Sequence, residues 1–153
     1  MTDGAPLDRF NKLIDRFEQI QGFVDQARAR ADRFRPEVIQ RVVEGHTNSL
    51  NELLVDVVPL MIEVEEGTRA AESERESIDA GAAASRLVLE ELELRNLIGD
   101  LDDDAWQAER GPHADRVAAV ETDLSRVDGQ IELMRAALRR WEIIGRTAGV
   151  LQG

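Results

Sequence analysis

The spacing of the apolar residues is the feature that most constrains the fold of this chain. Near the N-terminus they recur at alternating steps of three and four residues, at Phe10, Leu13, Phe17, Ile20, Val24, Ala27, Ala31 and Phe34. This spacing places them on one stripe of an α-helix, the pattern of helices that pack along a narrow seam. A second and longer seam with the same steps runs from Trp106 to Ala148.

Prolines and one glycine set the expected helix boundaries. Pro36 disfavours a helical conformation at Arg35, and Gly99 suits the left-handed residue that often ends a helix. Pro59 removes a backbone hydrogen bond and must kink or break the helix around it. We therefore predict helices at about 7–34, 37–58, 60–98 and 104–148, with turns near 35–36 and 99–103. No segment alternates with the period of two that is typical of a strand.

The predicted fold class is all-α, in a single helical domain that spans residues 1–153. Two arrangements are open. The helices form long antiparallel hairpins in a coiled-coil rod whose central helix is kinked at Pro59, or they form a helical bundle in which Pro59 ends a helix. Because a pair of helices buries little apolar surface alone, we expect a homodimer or higher oligomer, or docking on a larger protein. Trp106 and Trp141 are expected to be buried anchors within the fold or at such an interface.

Charge is distributed unevenly over the two predicted turns. Five arginines stand against two acids between Arg28 and Arg41, and eight acids stand against two arginines between Leu87 and Arg110. Because the whole chain carries a net charge of −12, we do not expect it to bind nucleic acid. The charged turns are interpreted either as solvated faces with capped helix ends or as recognition surfaces. The second interpretation includes head-to-tail association of the basic and acidic ends.

The sequence offers little support for catalysis. It has no cysteine, and its two histidines, His46 and His113, stand in no metal-ligand spacing. We expect His113 to pack on the second seam, and His46 to lie in a polar core layer or to be exposed. No phosphate-binding or calcium-binding loop is recognisable. We therefore predict no enzymatic activity, no metal and no cofactor.

The cellular location is predicted from what the sequence lacks. No secretory signal and no segment suited to spanning a bilayer is recognisable. We therefore expect a bacterial, cytoplasmic protein without membrane insertion.

Residues 99–105 carry one resemblance to a known family. They read Gly-Asp-Leu-Asp-Asp-Asp-Ala, which resembles the Gly-Asp-Leu-x-Glu-Asn-Ala tip of Gre-type factors that enter the secondary channel of RNA polymerase. Asp100, Asp103 and Ala105 also fit the Asp-x-x-Asp-x-Ala tip of DksA-type factors. The resemblance implies that Asp100 and Asp103 lie at the acidic positions that help to hold a catalytic Mg²⁺ in the polymerase.

These observations predict a non-enzymatic coiled-coil adaptor, scaffold or structural protein that acts through helix–helix contacts with other proteins. The predicted contact residues are the seam positions Phe10, Phe17, Ile20, Val120, Leu124, Ile131, Leu138 and Trp141. The alternative is a transcription regulator that inserts an acidic hairpin tip into the secondary channel of RNA polymerase. The tip residues in that case are Asp100, Asp102, Asp103 and Asp104.

Overall fold

The fold was analysed on a computed structural model that describes residues 4–147. These residues form four helices, α1 (Gly4–Ala29), α2 (Pro36–Ala80), α3 (Ala83–Leu97) and α4 (Asp103–Thr147). No strand occurs among them, so the predicted all-α fold class is confirmed. Ala148, the last predicted seam position, lies outside the described residues. The described chain divides into two compact units, residues 4–68 with 133–147 and residues 69–132.

The first unit contains α1, the first part of α2 and the last part of α4. Its buried apolar side chains come from all three helices: Phe10, Ile14, Phe17, Ile20, Val24, Leu50, Val57, Leu60, Val64, Met134, Ala137 and Trp141. They follow the stripes of α1 and α4 that the heptad spacing predicts, with Ile14 and Ala137 as additional members. Each helix therefore has partners on two sides, and most of the stripe residues from Phe10 to Val24 and from Met134 to Trp141 are buried, while Leu13 and Leu138 are half-buried.

The second unit contains the end of α2, the whole of α3 and the first part of α4. In it, α3 and α4 form a helical hairpin that buries Ser85 and Leu92. The seam residues of α4 from Trp106 to Leu124 are only half-buried here. The physical reason is that a helix pair covers each seam residue from one side only.

Helix α1 ends earlier than the predicted boundary at residue 34. Beyond Ala29 the backbone turns more tightly, and the amides of Arg30, Ala31 and Arg33 each donate to the carbonyl three residues earlier. All side chains from Arg28 to Phe34 are exposed. Since helices in proteins depend mainly on burial of an apolar face, this charged segment has nothing to hold it helical.

Helix α2 passes through Pro59, so of the two outcomes left open for this residue, a kinked helix or a break between residues 58 and 60, the break is absent. Pro59 itself is exposed, whereas Val57 and Leu60 on either side are buried in the first unit. The missing hydrogen bond therefore lies on the solvent side of the helix, and the buried neighbours keep both flanks in place. Helix α4 likewise continues through Pro112, which is also exposed.

The break in this part of the chain lies at Gly81 and Ala82 instead. The Gly81 amide donates to the carbonyls of Ser77 and Ile78, and the Ala82 amide donates to Asp79. Guanidinium groups donate to two carbonyls at the break: Arg116 Nε donates to Gly81 O at 3.0 Å, and Arg86 donates to Asp79 O. Arg116 thus supplies a donor to a carbonyl at the helix end.

Candidate functional site

Most of the predicted contact residues are buried within the chain itself. Phe10, Phe17, Ile20, Ile131 and Trp141 belong to its buried apolar set, and Val120, Leu124 and Leu138 are half-buried. Side chains that are covered inside one molecule are not available to a second molecule. A contact surface for another protein therefore has to use exposed residues or the half-buried positions Val120, Leu124 and Leu138.

The strongest of these internal contacts joins α1 and α4 in the first unit. The Phe17 ring meets the Trp141 indole edge to face, with 5.1 Å between centroids. Beside it, Arg140 Nη2 donates to Asp15 at 2.6 Å and to Glu18 at 3.0 Å. These two carboxylates raise the pKa of Arg140, and the hydrogen bond to Asp15 is the largest cause. The ion pairs are largely exposed to solvent, whereas both aromatic side chains are buried, so the aromatic contact is expected to contribute more to stability.

The acidic tip is the turn of the α3–α4 hairpin. Gly99 has a φ of +82°, and the Asp100 amide donates to Arg95 O while the Gly99 amide donates to Asn96 O. This is the Schellman arrangement that ends many helices, as the sequence predicts for Gly99. The Asp100 carboxylate accepts from Arg95 Nε at 2.7 Å, which raises the pKa of Arg95.

The remaining tip carboxylates divide between structural contacts and solvent. Asp102 caps α4, because its Oδ1 accepts from the Ala105 amide at 2.8 Å. Asp103 accepts from the side-chain amide of Asn96 at 2.8 Å. Asp104 is exposed. Three of the four predicted tip residues therefore have a role in forming the turn.

Both histidines lie against other side chains. His113 Nδ1 and Ser85 Oγ share a hydrogen bond of 3.2 Å between α4 and α3, in keeping with the packed position predicted for His113. His46 is half-buried, and its ring lies 5.3 Å from that of Phe23. Trp106 is half-buried, with the Arg110 guanidinium 5.2 Å from its ring centroid. In this contact a cation stacks on an aromatic face.

An apolar stripe on the outer face of α3 is the largest feature that the seam prediction missed. Leu87, Leu94 and Ile98 are 67, 59 and 69 % exposed, and their spacing of seven and four residues places them on one side of the helix. The opposite side carries Leu92 and packs on α4. Helix α3 thus has two apolar faces, and only one is covered. We call Leu87, Glu91, Leu94 and Ile98 the α3 stripe, since Glu91 lies in the same row.

A second exposed apolar surface surrounds the turn between α1 and α2. Phe34, Val38 and Val42 are 53, 47 and 43 % exposed, and Val38 and Val42 are one helical turn apart. Arg35 and Arg41 flank them and are also exposed. We call these five residues the turn surface. It is apolar and basic, whereas the α3 stripe is apolar and acidic.

No arrangement suited to a metal ion or a membrane span is found in the part of the chain that the structure describes. No group of three or more His, Asp or Glu side chains could hold a metal ion there, and none of its helices is apolar enough over a sufficient length to cross a bilayer. A groove of about 510 Å³ beside Pro59 is lined by cations of α1 (Arg9, Lys12) and acids of α2 (Asp56, Glu63). Because the groove contains both cations and acids, its charge favours neither an anionic nor a cationic ligand.

Comparisons with protein-family models, with curated proteins and with solved structures found no match for this chain.

Proposed function

We propose that the chain is a non-enzymatic scaffold or adaptor protein that self-associates through helix–helix contacts. The observation that carries the proposal is the α3 stripe, which presents large apolar side chains on a helix face with no partner among residues 4–147. Single exposed apolar residues are ordinary on a protein surface. A row of them at helical spacing is the pattern by which one helix recognises another.

The apolar residues of this face supply part of the free energy of association. Burying a Leu or Ile side chain fully contributes roughly 1.5–3 kcal/mol, and the three apolar members of the α3 stripe each retain more than half of their exposure. Association also costs free energy, because the molecules lose translational and rotational freedom and the side chains at the interface become ordered, and this cost offsets part of the gain. The seam residues that are buried in the first unit, by contrast, are already covered within the chain, whereas the α4 seam from Trp106 to Leu124 is half-buried.

The experiment is a comparison of self-association by sedimentation velocity over a range of concentrations. The variant Leu94→Gln/Ile98→Gln removes apolar area from the α3 stripe, and Gln preserves helix propensity. We expect it to sediment as a monomer where the wild type associates. Leu133→Gln is the matched control, because Leu133 is exposed to a similar degree, 64 %, outside the stripe. Equal association of both variants and the wild type would refute the role of the stripe.

The second candidate function is that of a transcription regulator with an acidic tip. The observation in its favour is the exposure of Asp102, Asp103 and Asp104 at the end of the α3–α4 hairpin. A probe of this kind needs carboxylates that can reach a metal ion in a partner. The structural contacts of Asp102 and Asp103 with the turn itself supply a competing reason for their presence, so the scaffold function is our first proposal.

A further inference from the structure

We infer that the contact between copies is heterologous: the turn surface of one copy docks on the α3 stripe of the next. This inference rests on the proposed self-association and specifies which surfaces meet. The two surfaces belong to different compact units, so each molecule carries one of each. A second copy of the chain is therefore the occupant that both surfaces fit.

The α3 stripe and the turn surface carry charges of opposite sign. Glu90 and Glu91 are exposed on and beside the α3 stripe, and Arg35 and Arg41 are exposed on the turn surface. Within residues 4–147 none of these four side chains forms an ion pair within 4 Å, although Glu91 interacts electrostatically with Arg95 on the same helix. Charges of opposite sign on the two surfaces can pair across an interface, where they set both partner choice and register.

The same charges disfavour the symmetric alternative, in which the α3 stripes of two copies pair with each other. Glu91 lies inside the row, between Leu87 and Leu94, so that two stripes in contact bring two Glu91 carboxylates into one apolar interface. Like charges placed together at an interface are costly, and removing them from water adds to the cost. Pairing of two turn surfaces is disfavoured for the same reason, because it brings the arginines Arg35 and Arg41 of both copies together.

The apolar parts of the two surfaces also match in spacing. Val38 and Val42 on the turn surface, and Leu94 and Ile98 on the α3 stripe, are each four residues apart and so one helical turn apart. Two helices can therefore pack these pairs against each other, with the charged residues at the margin. Because the contact uses a different surface on each copy, it joins molecules head to tail, and either a ring or an open chain results.

The test uses two variants, each with one surface disabled. The turn variant is Val38→Gln/Val42→Gln, and the stripe variant is Leu94→Gln/Ile98→Gln. Gln is a good helix former, and unchanged far-UV circular dichroism verifies the folding of each variant. We expect each alone to self-associate at least about tenfold more weakly than the wild type. A 1:1 mixture is expected to form a complex of two chains, because each variant retains the surface that the other lacks.

The result separates this inference from the function on which it rests. If the turn variant self-associates like the wild type while the stripe variant does not, the stripes pair symmetrically and the head-to-tail contact is wrong, although self-association stands. A mixture that stays monomeric also overturns the inference. If the wild type itself is monomeric at every concentration, the proposed self-association fails. Val55→Gln, at an exposed position in neither surface, is the control and should behave like the wild type.

The charged part of the contact has its own readout. Raising the ionic strength from about 0.1 M to 1 M shortens the screening length from about 10 Å to about 3 Å. We expect wild-type association to weaken, and Glu90→Gln/Glu91→Gln to be weaker at low salt and much less sensitive to salt. Equal salt sensitivity in this variant and the wild type would exclude these glutamates from the interface.

Discussion

Phe17 on α1 and Trp141 on α4 are 124 positions apart in the sequence and meet edge to face, with an angle of 85° between their rings. Trp141 is only 2 % exposed and Phe17 is fully buried. Aromatic rings favour this T-shaped geometry because the positive edge of one approaches the negative face of the other. The contact assigns these two seam residues to the interior of the first unit, where they stabilise the fold.

Replacing Trp141 with Ala tests this assignment. We expect the free energy of unfolding to fall by about 3–5 kcal/mol, the usual cost of removing a buried large aromatic side chain. Urea denaturation followed by circular dichroism measures it. Trp106→Ala is the comparison. Because Trp106 is half-buried, this substitution should lower the free energy of unfolding by clearly less. Equal losses for the two tryptophans would argue against the packing described for the first unit.

Asp102 and Asp104 provide a matched pair at the start of α4. Asp102→Ala removes the cap of the Ala105 amide and should cost about 0.5–2 kcal/mol of stability. Asp104→Ala removes an equal charge from an exposed position and should change stability by less than about 0.5 kcal/mol. Thermal or urea denaturation distinguishes the two variants. A larger effect at Asp104 than at Asp102 would contradict the capping geometry.

Pro59 lies inside α2 and lacks the amide that a helix normally uses at that position. Pro59→Ala restores this donor and removes the clash of the ring with the preceding turn, so we expect a gain of about 1–3 kcal/mol. Pro36→Ala is the control, since Pro36 is the first residue of α2, where proline is well tolerated. A loss of stability on Pro59→Ala would mean that the proline imposes a geometry on which the fold depends.

The acidic tip can be tested without disturbing its cap. Asp100→Asn/Asp103→Asn removes two charges but leaves Asp102 in place. The scaffold function predicts unchanged helicity and unchanged self-association. The polymerase function predicts that the wild type alters transcription by purified RNA polymerase and that this variant does not. Loss of a transcriptional effect in a folded variant with wild-type self-association would make the tip the functional site.

The sequence predicts the helical parts of this fold well where a local rule decides. The heptad spacing identifies buried positions on α1 and α4, and the Schellman turn at Gly99 follows from the conformational preference of glycine. These features depend on neighbours within a few residues. They can therefore be inferred without knowledge of the tertiary fold.

The features that the sequence did not predict depend on tertiary contacts. The choice between a kink and a break at Pro59, which the sequence leaves open, depends on the buried residues on both sides that keep α2 continuous. The break at Gly81 is stabilised by Arg116, which is remote in the sequence. The exposure of the α3 stripe cannot be predicted from spacing, because spacing alone does not reveal which of two apolar faces of a helix a neighbour covers. The sequence does show that α3 has two such faces, because Leu87, Leu94 and Ile98 form a row that is separate from Leu92.

The most direct test of self-association is the mass of the wild-type chain in solution, measured by multi-angle light scattering over a wide range of concentrations. The account predicts a weight-average mass above the 17.1 kDa of one chain, rising with concentration in moderate salt. A constant mass of 17.1 kDa over the whole range would contradict it.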